Sequence, residues 1–92
     1  MKSIIQDESK QECCYLCGQW ATDTHHCIHG TANRKLADKD GLTVRLCHMC
    51  HMNLHDHGSF DRELQRIAQA RWMEYNSKSE KDFIKRYGKS YL

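Results

Sequence analysis

At 92 residues the chain is one small domain, and a hydrophobic content of 39% with two Phe and two Trp predicts a thin core of the kind metals or disulfides supplement. Six Cys would make a disulfide framework in a secreted protein, but MKSIIQDESK has no apolar run of signal-peptide length and no later stretch could span a bilayer, so the expectation is a soluble, cytoplasmic, metal-binding chain with no membrane partner. The net charge of +2 is uneven: from Ser59 onward eight basic residues stand against five acidic ones, which fits a nucleic-acid partner without demanding one.

In chain order, residues 1–12 are polar and charged and predict a loose tail or a short helix outside the core. Residues 13–58 are dense in Cys, His and Gly and carry the chemistry. Within them Trp20 to His26 can form a strand. Asp40-Gly41 marks a turn, and Leu42, Val44 and Leu46 alternate with Thr43 and Arg45 as in a half-buried strand. Cys50 to about His55 has no breaker and opens a helix. Residues 59–92 predict C-terminal helices packed on that core. Asp61 to Tyr75 is the first, capped by Ser59, with Leu64, Ile67, Ala68, Trp72 and Tyr75 on one side. Ser79-Glu80-Lys81-Asp82 resembles a capping box without its usual Glu and starts a last helix through Tyr87, which Gly88 stops.

Cys14-x-x-Cys17 and Cys47-x-x-Cys50 are two knuckle pairs separated by 29 residues. Two knuckles complete a closed tetrahedral four-thiolate site, which Zn²⁺ prefers when its role is structural. Gly18 suits the sharp turn after the first pair. Disulfides lack a compartment, a thioredoxin-like redox pair needs no second copy, and spacing alone leaves iron–sulfur ligation open. Cys13 adjoins Cys14 and competes with it for the first knuckle; Cys13 and Cys27 otherwise read as packing residues.

Between the knuckles lies His25-His26, and directly after the second comes His51-x-x-x-His55. On a helix His51 and His55 face the same way and make a chelating pair for a divalent metal. A third nitrogen from the doublet would complete a site with open positions, where a phosphate oxygen can be polarised. The other histidine of the doublet is then free to act as a general base, a role suited to an imidazole near neutral pH. His29 is an alternate ligand. His48 and His57 read as surface residues.

The run Cys14-x-x-Cys17 … His25-His26 … Gly41-Leu42-x-Val44-x-Leu46-Cys47-x-x-Cys50-His51-x-x-x-His55 resembles the HNH endonuclease family, whose fold is the ββα-metal motif. The closer likeness is to small HNH nucleases of bacteriophages and prophages, in which a segment like His26-x-x-x-Gly30-x-Ala32-Asn33-Arg34-Lys35 precedes a Gly-Leu strand. The likeness covers residues 13 to 58 and implies a small α+β fold, a zinc-stabilised, treble-clef-like ββα-metal core with additional C-terminal helices. It also implies metal-dependent hydrolysis of phosphodiester bonds, commonly in double-stranded DNA, in the host cytoplasm if the chain is phage-encoded. By position His25 matches a metal ligand on the first strand and His26 the general base. His51 and His55 match the further ligands of a catalytic Mg²⁺, Mn²⁺, Ni²⁺ or Zn²⁺. Arg34, Lys35 and Arg45 are candidate phosphate contacts, as are Lys81, Lys85, Arg86 and Lys89 along the duplex backbone.

The chain departs from the family at the middle Asn, which precedes the second strand and braces the base-bearing loop. Here the region reads Lys39-Asp40-Gly41-Leu42 with no Asn, so either Asp40 does the bracing or the loop is held differently. Asn53 is not the family Asn by position. An ideal strand also turns His25 and His26 to opposite faces, so a shared site calls for a bend. The competing reading is a non-catalytic treble-clef zinc finger that binds nucleic acid or protein. A redox protein using its paired cysteines ranks third.

Overall fold

The computed structural model describes residues 2–92. It is a small α+β domain in which a two-stranded antiparallel sheet carries helices on its connections: β1 (Asp23–His26), α1 (Thr31–Asp40), β2 (Thr43–Leu46), α2 (His48–His57), α3 (Asp61–Asn76) and α4 (Glu80–Tyr87). β1 pairs with β2 in the register His25 opposite Val44 and Thr24 opposite Arg45. Val44 and Leu46 bury while Thr43 and Arg45 stay half-covered, the alternation expected of a sheet with one face on the core. Trp20 falls outside the strand; it forms an isolated bridge with Cys13 and is 70% exposed.

α1 is a helix that sequence reading missed. Its N-cap, Gly30, offers no side-chain hydrogen bond, and Ala37 is its one fully buried residue, so neither a cap nor an apolar stripe announces it. It ends at Gly41, which takes a left-handed conformation with φ 74°. A Cβ there would lie 2.2 Å from the Lys2 carbonyl oxygen, and the Gly41 carbonyl accepts from the Ile4 amide at 2.9 Å. Only glycine allows the turn and the close approach together.

That approach overturns the loose-tail alternative for residues 2–12, Met1 lying outside the described residues. The other alternative, a short helix outside the core, is met by a single 3₁₀ turn with no buried residue. Ile5 joins the apolar core and Gln6 is buried. Gln6 accepts the Arg45 amide at 2.7 Å and donates to the carbonyls of Lys10 and Cys13, both at 2.8 Å. A short 3₁₀ turn, Glu8–Lys10, follows.

The helical half forms mostly where expected. Ser79 and Asp82 make the reciprocal capping box of α4, with Asp in place of Glu. Phe60 rather than Ser59 occupies the N-cap of α3, with φ 66°, and no side chain caps it. Tyr75, expected on the buried side, is 61% exposed; Leu64, Ala68, Gln69 and Trp72 form the buried face. Trp72, Phe83 and Tyr87 pack as an aromatic cluster, with Trp72 and Phe83 ring centroids 5.4 Å apart and Phe83 and Tyr87 stacked at 4.6 Å.

Asp40 ties this cluster to α1. Its carboxylate accepts from Trp72 Nε1 at 3.0 Å, from the Tyr87 hydroxyl, and from Arg86 Nε and a terminal guanidinium nitrogen at 2.7 and 2.9 Å. Burial and the neighbouring carboxylate push the Tyr87 hydroxyl up, so it remains a donor. Asp40 therefore does not brace the histidine loop, and Arg86 is held within the protein rather than presented to a duplex. Asp40→Ala leaves the Trp72 and Tyr87 donors without a partner, and an expected loss of about 3 kcal/mol follows. Urea unfolding checks it; a loss below about 1 kcal/mol would mean that water replaces the carboxylate.

Candidate metal centre

The first knuckle is a tight turn in which the Gly18 amide donates to the Cys14 carbonyl at 2.9 Å and the Cys14 amide to the Gln19 carbonyl at 2.6 Å. Gly18, at φ 81°, supplies the left-handed residue. The second knuckle opens α2: Cys47 is its N-cap, and its sulfur accepts the Cys50 amide at 3.4 Å. The sulfurs of Cys14, Cys17, Cys47 and Cys50 all lie within 4.8 Å of one another, with Cys17 and Cys47 at 3.7 Å. Thiolates on a tetrahedral Zn²⁺ with 2.3 Å bonds stand about 3.8 Å apart, so the four are placed to hold a structural metal such as zinc. Cys14, not Cys13, completes the set. Cys27 is buried in the core, and its burial pushes the thiol up to about 12.

Burial opposes ionisation of Cys14, but amides of Cys47, Cys17 and Leu16 outweigh it and bring the thiol down to about 6. Burial pushes the Cys50 thiol up, and the sulfurs of Cys47, Cys14 and Cys17 push it further. The cluster thus favours a thiolate at Cys14 and resists one at Cys17 and at Cys50.

Beyond the end of β1, a cleft of about 280 Å³ is lined by His25, His26, His29, His51, His55 and Arg34, among others. His25, His51 and His55 have ligand atoms within 4.8 Å of one another. The Nε2 atoms of His51 and His55 face each other at 3.0 Å, close to the roughly 3.0–3.4 Å between imidazole nitrogens that share one ion. Asp23 Oδ2 accepts from His51 Nδ1 at 2.8 Å, an arrangement that in the neutral ring places the lone pair on Nε2, which faces the cleft. The hydrogen bond from His51 in turn holds the Asp23 carboxyl down at about 2.

His25 is 2% exposed, and its Nε2 is buried with no hydrogen-bond partner. Burial, with His51 and His29 nearby, lowers its pKa to about 4, so it stands neutral at physiological pH. A neutral buried imidazole with an unmatched nitrogen is suited to ligation.

The doublet needs no bend. His25 and His26 pair regularly with Val44 and Thr43, and their rings leave opposite faces of β1. His26 turns toward α1, where Nε2 lies 3.2 Å from Asp38 Oδ1, and it still lines the cleft of His25. Arg34 and Lys35, exposed on α1, border an adjoining groove with His26, Thr31 and Asp38. Arg45 is placed otherwise than expected: its guanidinium donates to the Gln11 carbonyl, Thr24 Oγ1 and the Ala21 carbonyl. Lys81, Lys85 and Lys89 are exposed on and just beyond α4, and His48 and His57 are exposed on α2.

Three carboxylates beside the cleft escaped the sequence reading, Asp23 on His51 among them. Asp38 meets His26, and Asp61, the first residue of α3, lies 2.6 Å from His29 Nε2. No local pattern marks Asp61 as a partner of a residue 32 positions away. Among the described residues no helix is long and apolar enough to cross a membrane.

Comparison with curated proteins found no match, and neither did comparison with solved structures. A family's sequence model matches residues 7–75, which take in both cysteine pairs, every histidine of the cleft and most of α3. The chain therefore belongs to the family described as "Protein of unknown function (DUF968)".

Proposed function

We propose that the protein is an HNH-type, metal-dependent endonuclease that hydrolyses phosphodiester bonds in double-stranded DNA, with β1, β2 and α2 as its ββα-metal core and the four cysteines as a structural zinc site. The observation that carries this reading is the convergence of His25, His51 and His55, with one buried imidazole nitrogen left unpartnered among them. Leaving such a nitrogen unmatched costs about 1–3 kcal/mol, a penalty that a bound ligand removes.

His25, His51 and His55 would hold the catalytic ion, and Asp23 fixes the His51 ring for that purpose. When bound, a divalent ion (Mg²⁺, Mn²⁺, Ni²⁺ or Zn²⁺) polarises the scissile phosphate and stabilises the leaving oxygen. His26 stays off the ion and accepts the proton of the attacking water. Asp38 holds the hydrogen on Nε2, so the basic nitrogen is Nδ1. Asp38 in this way takes over the bracing that the family gives to its middle Asn. Arg34 and Lys35 sit beside His26, where they anchor the phosphates flanking the cut.

The test is nicking of supercoiled plasmid with added Mg²⁺, Mn²⁺ or Ni²⁺, by the wild type and by His51→Ala. Metal-dependent nicking that His51→Ala loses by about a hundredfold or more supports the reading. DNA retention without nicking by any metal-loaded wild type would favour a non-catalytic zinc finger.

A further inference from the structure

The endonuclease reading leaves His29 and Asp61 without a role. His29 lies in the turn before α1 and Asp61 opens α3, yet Nε2 and Oδ1 stand 2.6 Å apart. With His25 they form a second group whose ligand atoms lie within 4.8 Å of one another. Their cleft is the same one: the His29 ring centroid is 5.7 Å from that of His25 and 6.5 Å from that of His55. An acidic residue in the first turn of a helix is stabilised by the helix dipole, and on that account Asp61 needs no ligand. The dipole does not explain why Asp61 meets a histidine at the mouth of a histidine cleft. Nor does it partner His25, the member common to both groups, whose Nε2 is buried and unmatched.

We propose that His25, His29 and Asp61 form a second seat for a divalent cation beside the His25–His51–His55 seat, and that one ion occupies one seat or the other according to its chemistry. The proposal rests on the metal reading of the first seat. A neutral imidazole offers one lone pair, so two seats that share His25 are alternatives and not a pair. Their donor sets differ. Three imidazole nitrogens favour Ni²⁺ and Zn²⁺, whereas two nitrogens and a carboxylate oxygen shift preference toward the harder Mn²⁺. Asp61 also brings a negative charge that the first seat lacks, which compensates an ion less tightly held by nitrogen.

The same feature gives α3 a part in the site. Asp61 comes from a helix whose buried face, Leu64, Ala68, Gln69 and Trp72, is fixed in the core, so the carboxylate is delivered by a rigid element and not by a loop. His29 is the more exposed partner, with a side chain 42% exposed, which leaves its ring room to turn from Asp61 and admit an ion.

The experiment is titration of the zinc-loaded full chain with Mn²⁺, followed by electron paramagnetic resonance of the free ion, and separately with Ni²⁺ by calorimetry. Wild type is compared with Asp61→Asn and His55→Ala. Asp61→Asn is expected to weaken Mn²⁺ by about tenfold or more and to leave Ni²⁺ within about threefold. His55→Ala is expected to do the reverse. Equal weakening of both ions by Asp61→Asn, as a merely structural contact would give, overturns the proposal, and so does Mn²⁺ binding that Asp61→Asn leaves within about threefold. His29→Gln repeats the test from the loop without touching α3, and retained zinc and helical circular dichroism confirm the fold of each variant. If His55→Ala leaves Ni²⁺ binding intact, the first seat fails while the Mn²⁺ data still judge the second. If wild type takes up Ni²⁺ but no Mn²⁺, the second seat fails and the first stands.

Discussion

Removing the metal from the four-cysteine site is expected to unfold the protein and not merely to loosen it. The site joins the loop ahead of β1 to the N-terminus of α2, and those two segments lead into the elements that carry every residue lining the histidine cleft except His29, Gly30 and Arg34. A structural zinc contributes about 10–16 kcal/mol in small zinc-dependent domains, comparable to or larger than the roughly 5–15 kcal/mol net stability of a folded domain. The apolar core of this chain is small and cannot offset such a loss. Without a cation, the Cys14 sulfur ionises readily and Cys50 resists, so a second thiolate in the group is disfavoured unless a metal compensates it. Far-ultraviolet circular dichroism during chelation, with released zinc measured in parallel, reads the result. Cys47→Ser should behave as the chelated protein does, since it removes both a ligand and the α2 cap. A cooperative thermal transition that survives complete metal removal would show that the aromatic cluster of α3 and α4 sustains the fold alone.

The second large effect falls on chemistry. His26→Ala is expected to slow metal-dependent cleavage by about 10²–10⁴-fold, the range for loss of a positioned general base. Ion binding in the cleft should change little, because His26 leaves the opposite face of β1 from His25 and its ring contacts Asp38. A modest loss of stability is expected, of about 1 kcal/mol, since the pair with exposed Asp38 contributes little but the His26 ring itself is largely covered. Single-turnover cleavage and Ni²⁺ titration on the same preparation separate the roles. A parallel fall in affinity would make His26 a ligand, and unchanged cleavage would remove it from the mechanism.

The parts of this protein that were legible in its sequence are those set by short-range geometry or by ligand chemistry. Paired C-x-x-C spacing picks out the four cysteines placed to hold a metal such as zinc, because a knuckle is a local turn and a tetrahedral site takes two of them. His51 and His55 fall together because four residues make about one helical turn. Leu42, Val44 and Leu46 announce the inner face of β2, and Ser79 with Asp82 and Gly88 bounds α4, for the same local reason. What escaped were helix α1, with neither a side-chain cap nor an apolar stripe, and the packing of residues 2–12, whose polar composition hides the single core residue Ile5.

The polar pairings belong to the tertiary structure alone. Asp40 has the composition of a turn residue, yet Trp72, Arg86 and Tyr87 converge on it from 32 to 47 positions away. Arg45 looks like a free cation and is held by Thr24 across the sheet. His26 finds Asp38, and His29 finds Asp61, only once α1 and α3 have packed against the end of the sheet. A hydrogen bond or charge pair is decided by which surfaces meet, and periodicity carries no record of that. The sequence therefore determined which atoms were available to bind a metal, and the packing of the helices decided which carboxylate stands beside each histidine.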